Sequence, residues 1–220
     1  MKYRSVFDII GPVMIGPSSS HTAGAVRIGR MARRLFGVQP EEAVLHFYGS
    51  FAQTYRGHAT DVAVIAGLLD LDTDDERIPN AFDLANERDM RFALVPEAAP
   101  PAHPNTVRVE MKTGDHAMQV TGVSVGGGMV QIVDVDGFSL HLTGESPALL
   151  VFHRDQAGVI ADVTGAIAQA GVNISHMEVS RSDKGQEALM TIETDQGLDE
   201  KTLRRIGEIP CMLRVVKVEL

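Results

Sequence analysis

The sequence predicts an α+β protein of two domains: an N-terminal α+β domain and a ferredoxin-like β-α-β-β-α-β module behind it. Three observations predict this. Apolar residues recur at helical spacing in the first part of the chain, and from residue 91 onward the period changes to two. The polar, proline-bearing joint "TGESPAL" (143–149) then interrupts the strands. Beyond it, two helical stripes alternate with four strand-like runs in about 70 residues, the ferredoxin-like order. Helices followed by a run of strands make an α+β unit. The expected division is 1–142 as the first domain, 143–147 as a linker and 148–220 as the second domain.

Each element has its own signal. Residues 1–15 alternate weakly and end in two Gly-Pro pairs that break any helix. Over 23–36, Ile28, Met31 and Leu35 share one helical face, Val26, Arg30 and Arg33/Arg34 lie on others, and Gly37 stops the helix. "AVLHFYGS" (43–50) reads as a short strand. Val62, Ile65, Ala66 and Leu69 mark a helix from about Thr60 to Leu69, and "PNAFDLANERD" (79–89) a shorter one. "RFALV", "TVRVEMK", "MQVTGVSV" and "VQIVDVDGFSLHL" read as strands, with Gly and Pro in the breaks. In the second domain "ALLVFH" is a strand, and Ile160, Val163 and Ile167 form the buried stripe of a helix from near Gly158 to Gly171. "VNISHMEVSR" and "EALMTIETD" pair around the turn "SDKGQ", Leu203 and Ile206 mark a second helix, and "MLRVVKVEL" is the closing strand. The phase slips by one between Ile174 and Met177, which predicts a bulge.

Composition narrows the function classes. The 220 residues are 44% hydrophobic and 22% charged, ordinary for a globular protein. Lys+Arg 20 against Asp+Glu 29 leaves a net charge of −9, so nothing draws this chain electrostatically to nucleic acid or anionic lipid. No apolar run approaches the roughly 20 residues that span a bilayer, and "MKYRSVFDIIG" is too short and too charged for a secretory signal. The expected location is the cytoplasm. Cys211 is the only cysteine, so it forms no intrachain disulfide and builds no iron–sulfur cluster by itself.

Two stretches carry chemistry. "GPSSSHT" (16–22) sets Ser18, Ser19, Ser20, His21 and Thr22 before a helix whose free N–H groups attract anions. If Ser20 or Thr22 caps that helix, the rest are either solvated loop or a grip on a small carboxylate; no glycine-rich phosphate signature points to nucleotides. "YGSFAQTYRGHATD" (48–61) repeats the recipe and ends in His58, Thr60 and Asp61 at another helix start. An imidazole there is either a surface histidine or a proton acceptor near neutrality. Asp61 either orients it or caps the helix. Neither His21 nor His58 has a ligand-type partner at i+4 and no CxxC occurs, so no metal site is expected in this chain. "HPNT" (103–106) adds Asn105 ahead of a strand, and "SVGGGMV" (124–130) is a glycine loop that serves as a hairpin turn or as a place of close approach.

Taken together, "IGPSSSHTAG", "GHATD", "HPNT" and "SVGGG" resemble the β chain of the two-chain bacterial iron–sulfur L-serine dehydratases, over residues 1 to about 142. That family usually carries GHGTD, where this chain has Ala59, and often SHTxGP, where it has "SHTAGA". Residues 148–220 look like an ACT domain. The resemblance implies β-elimination of L-serine to pyruvate and ammonia through aminoacrylate, with a 4Fe-4S cluster bound by the cysteines of an α chain and one iron free to take the substrate hydroxyl. A positioned base contributes roughly 10²–10⁴-fold, or about 3–5 kcal/mol, too little to remove an unactivated α-proton and expel hydroxide together; a Lewis-acidic metal supplies the rest. Half the active site should therefore lie on the partner. By the same resemblance Ser18, Ser19, Ser20 and Thr22 hold the substrate carboxylate with His21 in support, His58 is the base, and Thr60, Asp61 and Asn105 line the pocket. The loop Gly126, Gly127 and Gly128 sits at the junction with the α chain.

The ACT resemblance implies a small amino acid bound between paired copies, through Asp155, Gly158, Val159, Asn173 and Ile174, with a homodimer formed by this domain; the plainer reading is a dimerisation element alone. A second function reading also stands. The first domain is similar to the allosteric substrate-binding domain of some phosphoglycerate dehydrogenases, which suits a non-catalytic amino-acid sensor with no use for a base at His58. A free-standing serine hydrolase lacks any nucleophile elbow.

Overall fold

The computed structural model describes residues 13–218. The weak alternation of residues 1–12 and the last two residues of the closing strand lie outside the described residues. The chain divides into two compact units, Met1–Asp136 and Gly137–Leu220.

In the first unit, a π-helical turn over Ser19–Ala23 runs directly into α1 (Gly24–Phe36), which Gly37 ends in the left-handed conformation at φ 89°. Strand β1 (Glu42–Tyr48) follows, with Ala43, Leu45 and Phe47 buried by strict alternation. The expected strand 43–50 thus stops at Tyr48. Gly49 turns the chain at φ 55°, and a short helix, α2 (Gly49–Thr54), takes its place. Helix α3 (Thr60–Leu68) is apolar on almost every side and buried; α4 (Ala81–Glu87) follows a 3-10 turn at Ile78–Asn80. Strand β2 (Arg91–Pro96) lies parallel to β1, while β3 (Asn105–Thr113), β4 (His116–Gly126) and β5 (Met129–Val135) continue antiparallel in the order β2-β1-β3-β4-β5.

Helix α1 packs on β3, β4 and β5 with one face and on α3 with another. That second contact explains why Val26, expected off the buried face, is 1% exposed. The two helices meet at glycines. A Cβ on Gly29 would collide with the carbonyl of Val64, and one on Gly67 with that of Val26. Backbone touches backbone here, so the spacing between the helices is set by the absence of side chains.

The second unit holds β6 (Phe138–Leu142), β7 (Ala148–Arg154), α5 (Val159–Gln169), β8 (Ile174–Arg181), β9 (Glu187–Thr194), α6 (Glu200–Gly207) and β10 (Met212–Val218). From β7 onward the order is the ferredoxin-like β-α-β-β-α-β, with an antiparallel sheet β10-β7-β9-β8. The register of β8 shifts between Ile174 and His176, the bulge that the slipped phase predicts. Leu149, Val151, Val163, Ile167, Met190, Ile192 and Ile206 form the core. Ile160 departs from its expected place. It is 44% exposed, and Val159, Val163 and Ala166 make the buried stripe with Ile167, because the helix begins one residue after Gly158 with its phase turned. Among the described residues no helix is long and apolar enough to cross a membrane.

Candidate active site

The serine-rich stretch folds as a cap. Ser18, extended at φ −142°, is the N-cap of the π-helical turn, and its Oγ accepts the backbone N–H of His21 at 3.1 Å. The cap is thus two residues earlier than Ser20. A π turn in front of an α-helix swings successive side chains off the regular helical positions, a distortion common at functional sites. Ser20 Oγ lies 3.0 Å from His21 Nδ1 and 3.4 Å from Ser18 Oγ. Ser19 gives its carbonyl to the N–H of Gly24, joining turn and helix. Thr22 is buried, and its hydroxyl donates to the carbonyl of His58 at 3.2 Å.

That bond brings the second stretch to the first. His58 precedes Ala59, which adopts the left-handed conformation at φ 54°, ψ 33°, and α3 starts at the next residue. The reversal turns the His58 ring back toward the serine-rich turn. The His21 and His58 rings lie 4.9 Å apart, tilted by 38°, and Phe51 presents itself to His21 at 5.1 Å in an edge geometry. Thr60 is fully buried, and its Oγ1 has no hydrogen-bond partner among the described residues. Asp61 is 6% exposed and accepts the N–H of Val62 at 2.9 Å, the role of a first-turn carboxylate.

Burial, and after it the charge of His58, holds His21 below its ordinary pKa. Burial likewise pushes the Asp61 carboxyl up, against the bond from Val62 and the charge of Arg56. A neutral imidazole beside a second one, at a helix start lined with hydroxyls, is an arrangement able to hold a carboxylate and to move a proton.

Asn105 reaches the site through its neighbours. It forms a bridge with Gly49, its side-chain amide donates to the carbonyl of Ser124 at 3.4 Å, and Pro104 accepts the N–H of Ser50 at 2.7 Å. Gly126, Gly127 and Gly128 have φ of 101°, 62° and 79° and form the turn between β4 and β5. The turn does not hang free: Arg27 of α1 donates to the carbonyl of Gly128 at 2.9 Å.

Three further residues are not singled out by the motifs. Ser50 Oγ sits 3.0 Å from His21 Nε2. Its hydroxyl at the start of a short helix is the signal that could have found it, hidden by reading 43–50 as one strand. Ser124 is fully buried, its Oγ without a hydrogen-bond partner among the described residues, and it lies against Gly24, where a Cβ would collide with it. Nothing in the sequence marks Arg27, whose partner Gly128 lies 101 residues away.

In the second unit the five candidate residues do not gather within one chain. Asp155, Gly158 and Val159 follow the C-terminal end of β7, where Asp155 accepts the N–H of Gly185 at 3.0 Å. Asn173 and Ile174 stand at the end where β8 pairs with the last residue of β9, and Asn173 donates to Asp195 at 2.8 Å. The seven residues of β7 separate the two groups by about 20 Å.

A family model described as "Serine dehydratase beta chain" matches residues 5–134, and one described as "ACT domain" matches residues 148–211. The chain belongs to the serine dehydratase beta chain family. Within that family the "Probable L-serine dehydratase, beta chain" of Bacillus subtilis (strain 168) is 53% identical over 218 residues, covering 99% of each chain. The L-serine dehydratase beta chain of Peptoniphilus asaccharolyticus is 32% identical over 198 residues, 89% of each. "L-serine dehydratase 2" of Escherichia coli (strain K12) is 28% identical over 243 residues, which span 96% of this chain but 51% of that one. Within "GHATD", Ala59 is the one position with positive φ.

Proposed function

We propose that this chain is the β subunit of an iron–sulfur L-serine dehydratase, deaminating L-serine to pyruvate and ammonia together with an α subunit. One observation carries the reading: His21 and His58, from two hydroxyl-rich helix starts, face each other at 4.9 Å. Membership of the family and the half-length match to a longer serine dehydratase support it. The regulatory alternative gains no observation of its own.

The donors of this chain do not fit an iron–sulfur cluster. Cys211 is its sole cysteine, and among the described residues no three His, Cys, Asp or Glu side chains are grouped to hold a metal. The cluster is therefore proposed for the α subunit, and this chain's share is binding and proton transfer. Ser18, Ser19 and Ser20 take the substrate carboxylate at the positive end of the turn. Thr22 holds the backbone of His58 to that turn. His58 removes the α-proton, with His21 kept neutral beside it so that one imidazole of the pair charges at a time. Thr60 and Asn105 line the same pocket, and Asp61 anchors the start of α3. Arg27 presents the Gly126–Gly128 turn to the α subunit.

In the second unit, a small-amino-acid site built from all five candidates needs two copies, Asp155, Gly158 and Val159 from one and Asn173 and Ile174 from the other. This placement supports pairing through the ACT domain.

Co-expression with the α subunit, anaerobic purification and a pyruvate assay with L-serine test the function. The assembly is expected to form pyruvate and this chain alone none. His58→Ala in the assembly should lower kcat by roughly 10²–10⁴-fold. Turnover near wild type in that variant removes His58 from the role.

A further inference from the structure

The imidazole of His21 is held at both nitrogens by hydroxyls, Nδ1 by Ser20 Oγ at 3.0 Å and Nε2 by Ser50 Oγ at 3.0 Å. A neutral imidazole carries a single N–H, so one hydroxyl donates to the ring and the other accepts from it. Burial and the charge of His58 keep the ring neutral near pH 7. His58 is the titratable group whose charge acts on it.

Ser18 decides the direction. Its Oγ already accepts the backbone N–H of His21 at 3.1 Å and stands 3.4 Å from Ser20 Oγ. Its own proton is then the one to give to Ser20, the Ser20 proton goes to Nδ1, and Nε2–H is left to donate to Ser50. In this sequence Ser18, Ser20 and the imidazole each both give and receive. In the opposite sequence the bonds from the His21 N–H and from Ser20 converge on Ser18 Oγ, and the head-to-tail alignment is broken there. Aligned hydrogen bonds of this kind polarise and strengthen one another.

We infer that Ser50 is a positioning residue: by accepting Nε2–H at the end of this run it completes, with Ser18 and Ser20, the selection of the Nε2–H tautomer of His21 and holds the ring against His58. Ser50 lies at the start of α2, and Pro104 accepts its N–H, so the backbone that carries its short side chain is anchored. The edge of Phe51 at 5.1 Å closes a further side of the ring. The catalytic consequence rests on the proposed function, in which His58 takes a proton beside a partner that must stay neutral and correctly turned. The tautomer itself does not.

The test has two arms. Full-length chain with ¹⁵N-labelled histidine rings is read by long-range ¹H–¹⁵N correlation near pH 7, His21 being assigned with His21→Gln. Wild type is expected to show protonated Nε2 and bare Nδ1 in one tautomer, Ser50→Ala a mixture, and Ser50→Thr, which restores the hydroxyl, one tautomer again. A mixed or Nδ1–H ring in wild type overturns the inference, and so does an unchanged single tautomer in Ser50→Ala. In the assembled enzyme, Ser50→Ala should lower kcat by roughly tenfold, the weight of one lost hydrogen bond. KM should stay close to wild type, and Ser50→Thr should recover most of kcat; equal losses in Ser50→Ala and Ser50→Thr overturn the positioning role. A wild-type assembly that forms no pyruvate would overturn the proposed function, while the ring spectrum of the chain alone would still decide the tautomer and the part Ser50 plays in it.

Discussion

Ala59 stands at φ 54°, ψ 33°, where its Cβ crowds the following carbonyl. The strain is about 1–2 kcal/mol, partly offset by the smaller entropy of an unfolded alanine. Ala59→Gly should therefore raise the melting temperature by roughly 2 °C; a fall would show that the alanine methyl makes a contact worth more than the strain. His21 gives a pH prediction. Its folded pKa lies below its ordinary 6.5, so the unfolded chain binds a proton that the folded one refuses. Stability is then lost as pH falls through about 6.5 toward the lowered value, and is unaffected above it. Melting temperatures measured across this range should fall less steeply for His21→Asn than for wild type. Asp61 illustrates what spacing leaves open. Three residues after His58 it could orient the imidazole or serve the helix; spacing does not show the 2.9 Å bond that the fold gives its oxygen from the Val62 N–H.

Helices α1 and α3 bring their leading residues together only because glycines meet where they cross. Gly67→Ala puts a methyl against the Val26 carbonyl and forces the helices apart. Overpacking against backbone should cost about 2 kcal/mol, or roughly 4–8 °C in the melting of the first unit. The same displacement should widen the gap between His21 and His58 and lower kcat in the assembly; unchanged kcat with the lowered melting temperature would uncouple the crossing from the site. Periodicity makes α1, α3 and the strands of both units legible, since each buries a regular stripe. It cannot reveal α2 or the π turn. Both are short, depend on one reversal such as Gly49, and are held by contacts from distant strands. For the same reason periodicity misplaces Ile160: an apolar residue in the first turn of a helix has no earlier turn to fix its phase.

At the scale of the whole chain, two units with separate cores should unfold in two steps. The chain offers a convenient reporter, with no tryptophan and its three tyrosines at Tyr3, Tyr48 and Tyr55. Tyrosine fluorescence in urea should follow the first unit alone, while circular dichroism follows both, and Gly67→Ala should move only the transition that fluorescence sees. Coincident transitions in wild type would show that the units unfold together. The motifs are readable as words in the sequence, but their meeting is not, because the bonds that join them connect residues far apart along the chain. The tie between Arg27 and Gly128 is the longest of them, spanning 101 residues. A ribosome adding roughly 5–20 residues per second takes about 5–20 s to cover that distance. The helix behind the serine-rich turn thus leaves the ribosome well before the glycine turn it ties down, and the newborn protein can join the two only when the first unit is almost fully synthesised.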